Sequence, residues 1–177
     1  MKSYLITAKP SYSTLRRYMP DFALYRDKEN SAYALEAQNF LAMAKPFKNM
    51  KTFLHQKADL AKKLGATGVH LTSIQFDEIA HAKELGLEVI ISTHTQEEVH
   101  LAEAMGADYV TFSPIFATPN KGEPKGVDAL REIVEKSKIK IFALGGIVSD
   151  EEVEKLEGSS AFGFASIRYF GEVQICT

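Results

Sequence analysis

Cysteine is all but missing from this chain. Cys176 is the only one, so no disulfide framework can form within it, and a reducing, cytoplasmic setting is the expectation. Long apolar runs are missing too. Nothing approaches the ~18 apolar residues of a membrane-spanning helix, and MKSYLITAKPSY lacks the long apolar centre of a secretory signal. No membrane partner is expected. Nor is there an excess of cations: 21 Lys and Arg stand against 23 Asp and Glu, and the pI is about 6.2. A nucleic-acid surface would carry a clustered positive excess, so that partner is not expected either. The GxGxxG fingerprint of a dinucleotide-binding sheet does not follow the first apolar run.

What is present suffices for one sizeable core. The chain has 177 residues, 45% of them hydrophobic, and reads as a single domain over 1–177. Its charge is uneven: residues 1–60 hold 10 Lys and Arg against 5 Asp and Glu, and residues 61–177 hold 11 against 18. A small acidic or phosphorylated ligand near the N-terminal half fits that imbalance.

A repeat organises the chain. LAKKLGATGVHL (60–71) and LAEAMGADYVTF (101–112) share Leu, Ala, Gly, Ala and Val at equivalent places, and AKELGLEVII (82–91) lies between them. Each unit is a helix end, a glycine and a strand, with Gly65, Gly86 and Gly106 as helix stops. Apolar runs predict strands over 4–7, 22–26, 51–55, 68–72, 88–92, 109–113, 139–145 and 161–166. Near-continuous apolar strands separated by helices predict a parallel sheet buried on both faces. Eight of them are the number that closes an α/β (β/α)8 TIM barrel. A typical barrel has ~250 residues, so this one is trimmed, and PSYSTLRRYMP (10–20) leaves room only for a shortened first helix. An open doubly wound sheet of the same units is the rival.

In a barrel the chemistry lies at the C-terminal ends of the strands. Those ends carry Arg26 and Lys28 after strand two, His55 and Gln56 after three, Ser73 and Gln75 after four, and Ser92 and His94 at five. Strand six ends in SPIFATPNKG with Thr118, Asn120 and Lys121, strand seven in Gly145-Gly146, and strand eight in Ser166. Cations from strand two and from the loop after strand six would share one mouth. Backbone amides after strands seven and eight are the usual phosphate cradle of the fold. A pocket for two anionic groups is the expectation, with Thr118, Asn120 and Lys121 forming a flap hinged at Gly122 and Pro124.

YRDK (25–28), GATGVHL (65–71), ISTHTQEEVHLAEAMGADYV (91–110), SPIFATPNKG (113–122) and IKIFALGGI (139–147) resemble, in this order, thiamine-phosphate synthase and its relative the thiazole tautomerase. The resemblance spans nearly the whole chain. It implies the barrel fold and a transferase of thiamine biosynthesis that joins hydroxymethylpyrimidine pyrophosphate to thiazole phosphate, with pyrophosphate leaving from a pyrimidine carbocation. It implies that Arg26, Lys28, Thr118, Asn120 and Lys121 hold the pyrophosphate. The thiazole phosphate would lie on amides near Gly145, Gly146 and Ser166, and Ser92 matches the serine of the strand-five motif. Mg2+ is the implied cofactor, yet Gln56 and Gln75 stand where the family has its metal-binding aspartates, so no metal ligand is assigned. Leu24 replaces a pyrimidine-contacting glutamine, and Pro114 the tautomerase's acid/base histidine.

His55, which replaces a polar residue of the family, and Lys121 are the candidate catalytic residues, imidazole titrating near neutrality. Each reading has a plainer rival. Arg26 and Lys28 could be a solvated salt-bridging pair, Lys121 a solubility residue, Gly145-Gly146 a tight turn and His55 a structural histidine. His94 reads as orienting the loop before helix five, and His70 as a hydrogen-bonded core residue. The alternatives to a synthase are a tautomerase-like enzyme and a barrel that holds a phosphate without turnover. Oligomeric state stays open.

Overall fold

A computed structural model describes residues 1–171, and Cys176 lies outside them. Eight strands form in the expected order: β1 (Lys2–Thr7), β2 (Phe22–Tyr25), β3 (Lys51–His55), β4 (Gly68–Leu71), β5 (Glu88–Thr93), β6 (Tyr109–Phe112), β7 (Lys140–Leu144) and β8 (Gly163–Ser166). Every neighbour pair is parallel, and β1 pairs with β8, closing the barrel. The doubly wound rival is excluded by that closure.

Seven helices connect the strands: α1 (Tyr12–Tyr18), α2 (Tyr33–Ala44), α3 (Ala58–Leu64), α4 (Glu78–Glu84), α5 (Gln96–Ala104), α6 (Gly126–Lys136) and α7 (Asp150–Glu157). The first is short for local reasons. Ser11 caps it by accepting from the Thr14 amide, and Met19 ends it in the left-handed region at φ 42 just before Pro20. Pro46 keeps α2 from continuing past Lys45. Gly65 ends α3 at φ 75, the left-handed stop the repeat predicts.

Alternation along the strands sorts the core into two parts. Leu5, Ala23, Leu54, Val69, Val110 and Ile141 face outward to the helices. Tyr4, Phe22, Phe53, Tyr109 and Phe142 form, with Leu24, Ile90 and Ala165, a separate cluster that fills the barrel. The rings interlock, Phe142 lying 5.0 Å from Phe22 and 5.2 Å from Tyr4. At Gly163 a Cβ would meet the Phe142 ring at 2.7 Å, so that position has to stay small. At the N-terminal end of the strands Lys51 donates to Glu88 at 2.6 Å and to the Tyr109 hydroxyl at 3.0 Å. At that end Lys2 and Lys51 are ion-paired, whereas among the described residues Arg26, Lys28 and Lys121 at the other end are not.

Candidate active site

On β3 to β6 the inward-facing positions one step above the aromatic plug, His55, His70, Ser92 and Thr111, are polar. Tyr4 OH lies 2.8 Å from His70 Nδ1, and His70 Nε2 lies 3.0 Å from Ser92 Oγ. Burial pushes the Tyr4 hydroxyl well above its ordinary range and His70 well below its own. A phenol that keeps its proton and donates it to Nδ1 leaves Nε2–H to donate to Ser92, the tautomer that gives the fully buried Tyr4 proton an acceptor and leaves the hydroxyl proton of the less buried Ser92 to the mouth. His70 is thus the hydrogen-bonded core histidine the sequence suggests. Beside Ser92 across the β5–β6 pairing, Thr111 is fully buried and its Oγ1 has no partner among the described residues.

His55 completes this floor. Its amide donates to the Tyr33 hydroxyl at 2.9 Å, while its ring, 6.5 Å from that of His70, makes no hydrogen bond among the described residues. Burial first, then the charges of Arg26 and Lys28, push its pKa down to about 3. At neutral pH its ring is therefore uncharged.

The rim above is cationic. Lys28 is pushed down chiefly by Arg26, then by its own burial and by Lys121, which brings cations of the β2–α2 and β6–α6 loops together as expected. Arg26 is half-buried and lowered by that burial. Among the described residues none of the three forms an ion pair, in contrast to Lys2 with Asp21, Lys51 with Glu88 and Lys83 with Asp108.

The β6–α6 loop is rooted and then free. The Ile115 and Phe116 amides donate to the Leu144 and Gly145 carbonyls at 2.9 and 3.0 Å, and Thr118 Oγ1 donates to the Phe116 carbonyl at 2.9 Å. Asn120, at φ 58, and Lys121 are exposed at the tip. His94 steadies the root, its Nδ1 lying 3.1 Å from the Ser113 carbonyl, a contact beyond the loop before helix five where its role is expected; there only its amide acts, donating to Glu98 Oε2 at 2.5 Å. Gly145 and Gly146 adopt φ 100 and 71. A Cβ on Gly146 would meet Phe116 Cβ at 2.6 Å and the Ala117 carbonyl oxygen at 2.7 Å. These glycines let the β6–α6 loop dock, a reason distinct from the ligand approach suggested by the sequence.

Thr118, Gly145, Gly146, Ile147, Ser166, Ile167 and Arg168 line a cleft of about 60 Å³. Among the described residues the amides of Gly145, Gly146, Ile147 and Ile167 find no acceptor. The Ser166 hydroxyl is not free: it donates to the Ile147 carbonyl at 2.7 Å and accepts from the Tyr169 amide at 3.1 Å. It shapes the cradle instead of lining it with a hydroxyl. Arg168, half-buried and without an ion pair among the described residues, was missed by sequence reasoning, as were Tyr4 and Thr111. Arg168 had a signal, standing two residues past Ser166 where this fold binds phosphate. A larger hollow of about 520 Å³ lies on the outer wall beside Leu41, Phe47 and Met50, at the opposite end of the strands.

The metal positions do not fit a magnesium ion. Gln56 is exposed at φ 66, and the Gln75 Oε1 already accepts from the Thr72 amide at 3.1 Å and hydroxyl at 2.9 Å. Both are neutral amides where Mg2+ takes carboxylate oxygen, and no cluster of three His, Cys, Asp or Glu side chains occurs among the described residues.

The closed ring of eight parallel strands with helices between them defines the class of (β/α)8 barrels, here with a cationic rim and free amides after β7 and β8. The family model described as thiamine monophosphate synthase matches residues 13–170, and the chain belongs to that family of transferases of thiamine biosynthesis. It is 34% identical over 149 residues to a chain of Aquifex aeolicus provisionally named thiamine-phosphate synthase 2, covering 82% of this chain and 78% of that one. To the thiamine-phosphate synthase of Synechococcus it is 34% identical over 130 residues, covering 71% of this chain but 37% of that one. The structure resembles thiamine phosphate pyrophosphorylase from Pyrococcus furiosus with a TM-score of 0.80 at 25% identity, covering 96% and 90% of the two chains. These names are those of synthases. The tautomerase alternative loses its support, since Pro114 has no titratable group.

Proposed function

We propose that the barrel mouth binds a pyrimidine pyrophosphate and a thiazole phosphate and joins them. The bond from the pyrimidine's methylene carbon to the pyrophosphate oxygen breaks, the electron pair leaves with pyrophosphate, and the thiazole nitrogen supplies the pair for the new C–N bond. The observation that carries this is the presence of two anion stations on one mouth. Arg26, Lys28 and Lys121 form the first, with Thr118 and Asn120 on the loop that brings Lys121 to them. Free amides of Gly145, Gly146, Ile147 and Ile167 form the second beside Arg168.

Charge develops on the leaving pyrophosphate as its bond breaks, and the three cations neutralise it. The floor answers the opposite charge. His55 and His70 are neutral at pH 7 and do not repel a developing carbocation; the unbonded His55 ring can offer it a lone pair, while both His70 nitrogens are engaged by Tyr4 and Ser92. Mg2+ serves the family, but no step here is assigned to it, because Gln56 and Gln75 do not supply its ligands. A cytoplasmic site of action and small phosphorylated substrates, without nucleic acid, accord with this role.

A second reading, binding without turnover, draws on Gln56, Gln75 and the fully buried Leu24 at a position the resemblance gives to pyrimidine contact. One experiment separates the two: pyrophosphate release is followed with both substrates present, with and without Mg2+, alongside calorimetric binding of each. Release dependent on both substrates is the expected result. Binding of both with no release favours the second reading, and binding of neither sinks both.

A further inference from the structure

A pyrophosphate reaches a protein either bare or wrapped around Mg2+, and the mouth has to suit one form. A protein that takes the chelate normally shares the ion through one or two carboxylates. The ends of β3 and β4 offer amides there, and the Gln75 Oε1 is occupied by two donors from Thr72. Two carboxylates stand on the neighbouring β2–α2 loop. Asp27 accepts from the Glu29 amide at 3.2 Å and bears on the Tyr25 and Tyr33 hydroxyls, while Glu29 is exposed and bears on Lys28. Neither forms an ion pair with a rim cation. The rim therefore presents three mutually repelling positive groups, Arg26, Lys28 and Lys121, whose repulsion an anion would relieve.

We infer that this mouth takes pyrophosphate as the bare, metal-free anion, so that Mg2+ competes with the protein for the ligand instead of bridging the two. This rests on the pyrophosphate reading of the rim given above. Chelation removes two charges from the anion and sets a dication against Arg26 and Lys28, while the ends of β3 and β4 meet it with the neutral amides of Gln56 and Gln75. Attraction falls and repulsion is added, both in the same direction.

The test is calorimetric titration of the whole chain with sodium pyrophosphate, once in EDTA and once in excess Mg2+. Saturable binding is expected in EDTA, weakened about tenfold or more by Mg2+ as the charge product falls. Equal or tighter binding in Mg2+ overturns the inference and leaves the pyrophosphate site standing. Absence of binding in both buffers overturns the site itself. Gln56→Asp combined with Gln75→Asp is expected to turn Mg2+ from antagonist into promoter of binding. An unchanged Mg2+ response in the folded double variant overturns the assignment of the two amides as the cause, and the titration of the parent protein decides the rest by itself.

Discussion

At His55 three influences act in one direction: burial removes water from the imidazolium, and Arg26 and Lys28 repel it. The unfolded imidazole takes up a proton below its ordinary 6.5, the folded one only near 3. The folded state thus holds fewer protons in that window, and the stability this contributes is full above pH 6.5 and is lost as pH falls toward 3. Between pH 7 and 4.5 the parent protein should lose about 2–3 kcal/mol more in urea unfolding than His55→Asn does. Equal losses would mean that the folded protein accepts the proton on His55. His70 is lowered as well, so the variant should keep part of the acid sensitivity. Two neighbouring residues illustrate how far residue type alone reaches. The sequence places Gln56 at the mouth, but nothing in glutamine announces a left-handed backbone at φ 66. The Ser92 hydroxyl is legible as a mouth residue, whereas its bond to His70 depends on the register that sets β4 against β5.

Among the elements, the β6–α6 loop and the β7 turn depend on each other. Gly146→Ala would place a methyl against Phe116 and the Ala117 carbonyl at a positive φ, and should destabilise the fold by about 2–4 kcal/mol. It should also hasten tryptic cleavage after the exposed Lys121, as the loop root lifts. Gly122→Ala meets nothing within 4 Å and is the control. A Gly146→Ala protein as stable and as protease-resistant as the control would sink this account. The strands were legible because apolar runs and helix-stopping glycines are local signals, and their ends fall within two residues of those expected. The convergence of Arg26, Lys28 and Lys121 was legible too, since barrel topology alone brings loops after β2 and β6 to one end. What Gly145 and Gly146 do was not, because the contact they permit is with a loop some thirty residues earlier in the chain, and a glycine looks the same whether it admits a phosphate or a neighbour's backbone. The bonds of the Ser166 hydroxyl to Ile147 and Tyr169 were not legible for a similar reason, since only the fold brings those partners to it.

For the molecule as a whole, the aromatic plug and the polar floor divide the barrel along its axis. Phe142 touches the plug from several sides, with the rings of Phe22, Tyr4 and Phe162 at 5.0, 5.2 and 5.3 Å. Phe142→Ala should cost about 3–5 kcal/mol, read from the shift of the urea midpoint. A loss below 1 kcal/mol would mean that the plug collapses to fill the gap. The seam at β1–β8 has a consequence of another kind. Seven of the eight strand pairings join neighbours in sequence, but the eighth sets Lys2 beside Gly163 and Leu5 beside Ser166. That pairing closes the longest loop in the molecule and carries the largest entropic cost of closure. During synthesis the first strand must wait, one edge unpaired, until β8 has left the ribosome. Since β8 also leads into Ile167 and Arg168, the cradle after β7 and β8 comes into being only when the ring shuts, and a phosphate held there would reward the final step of folding.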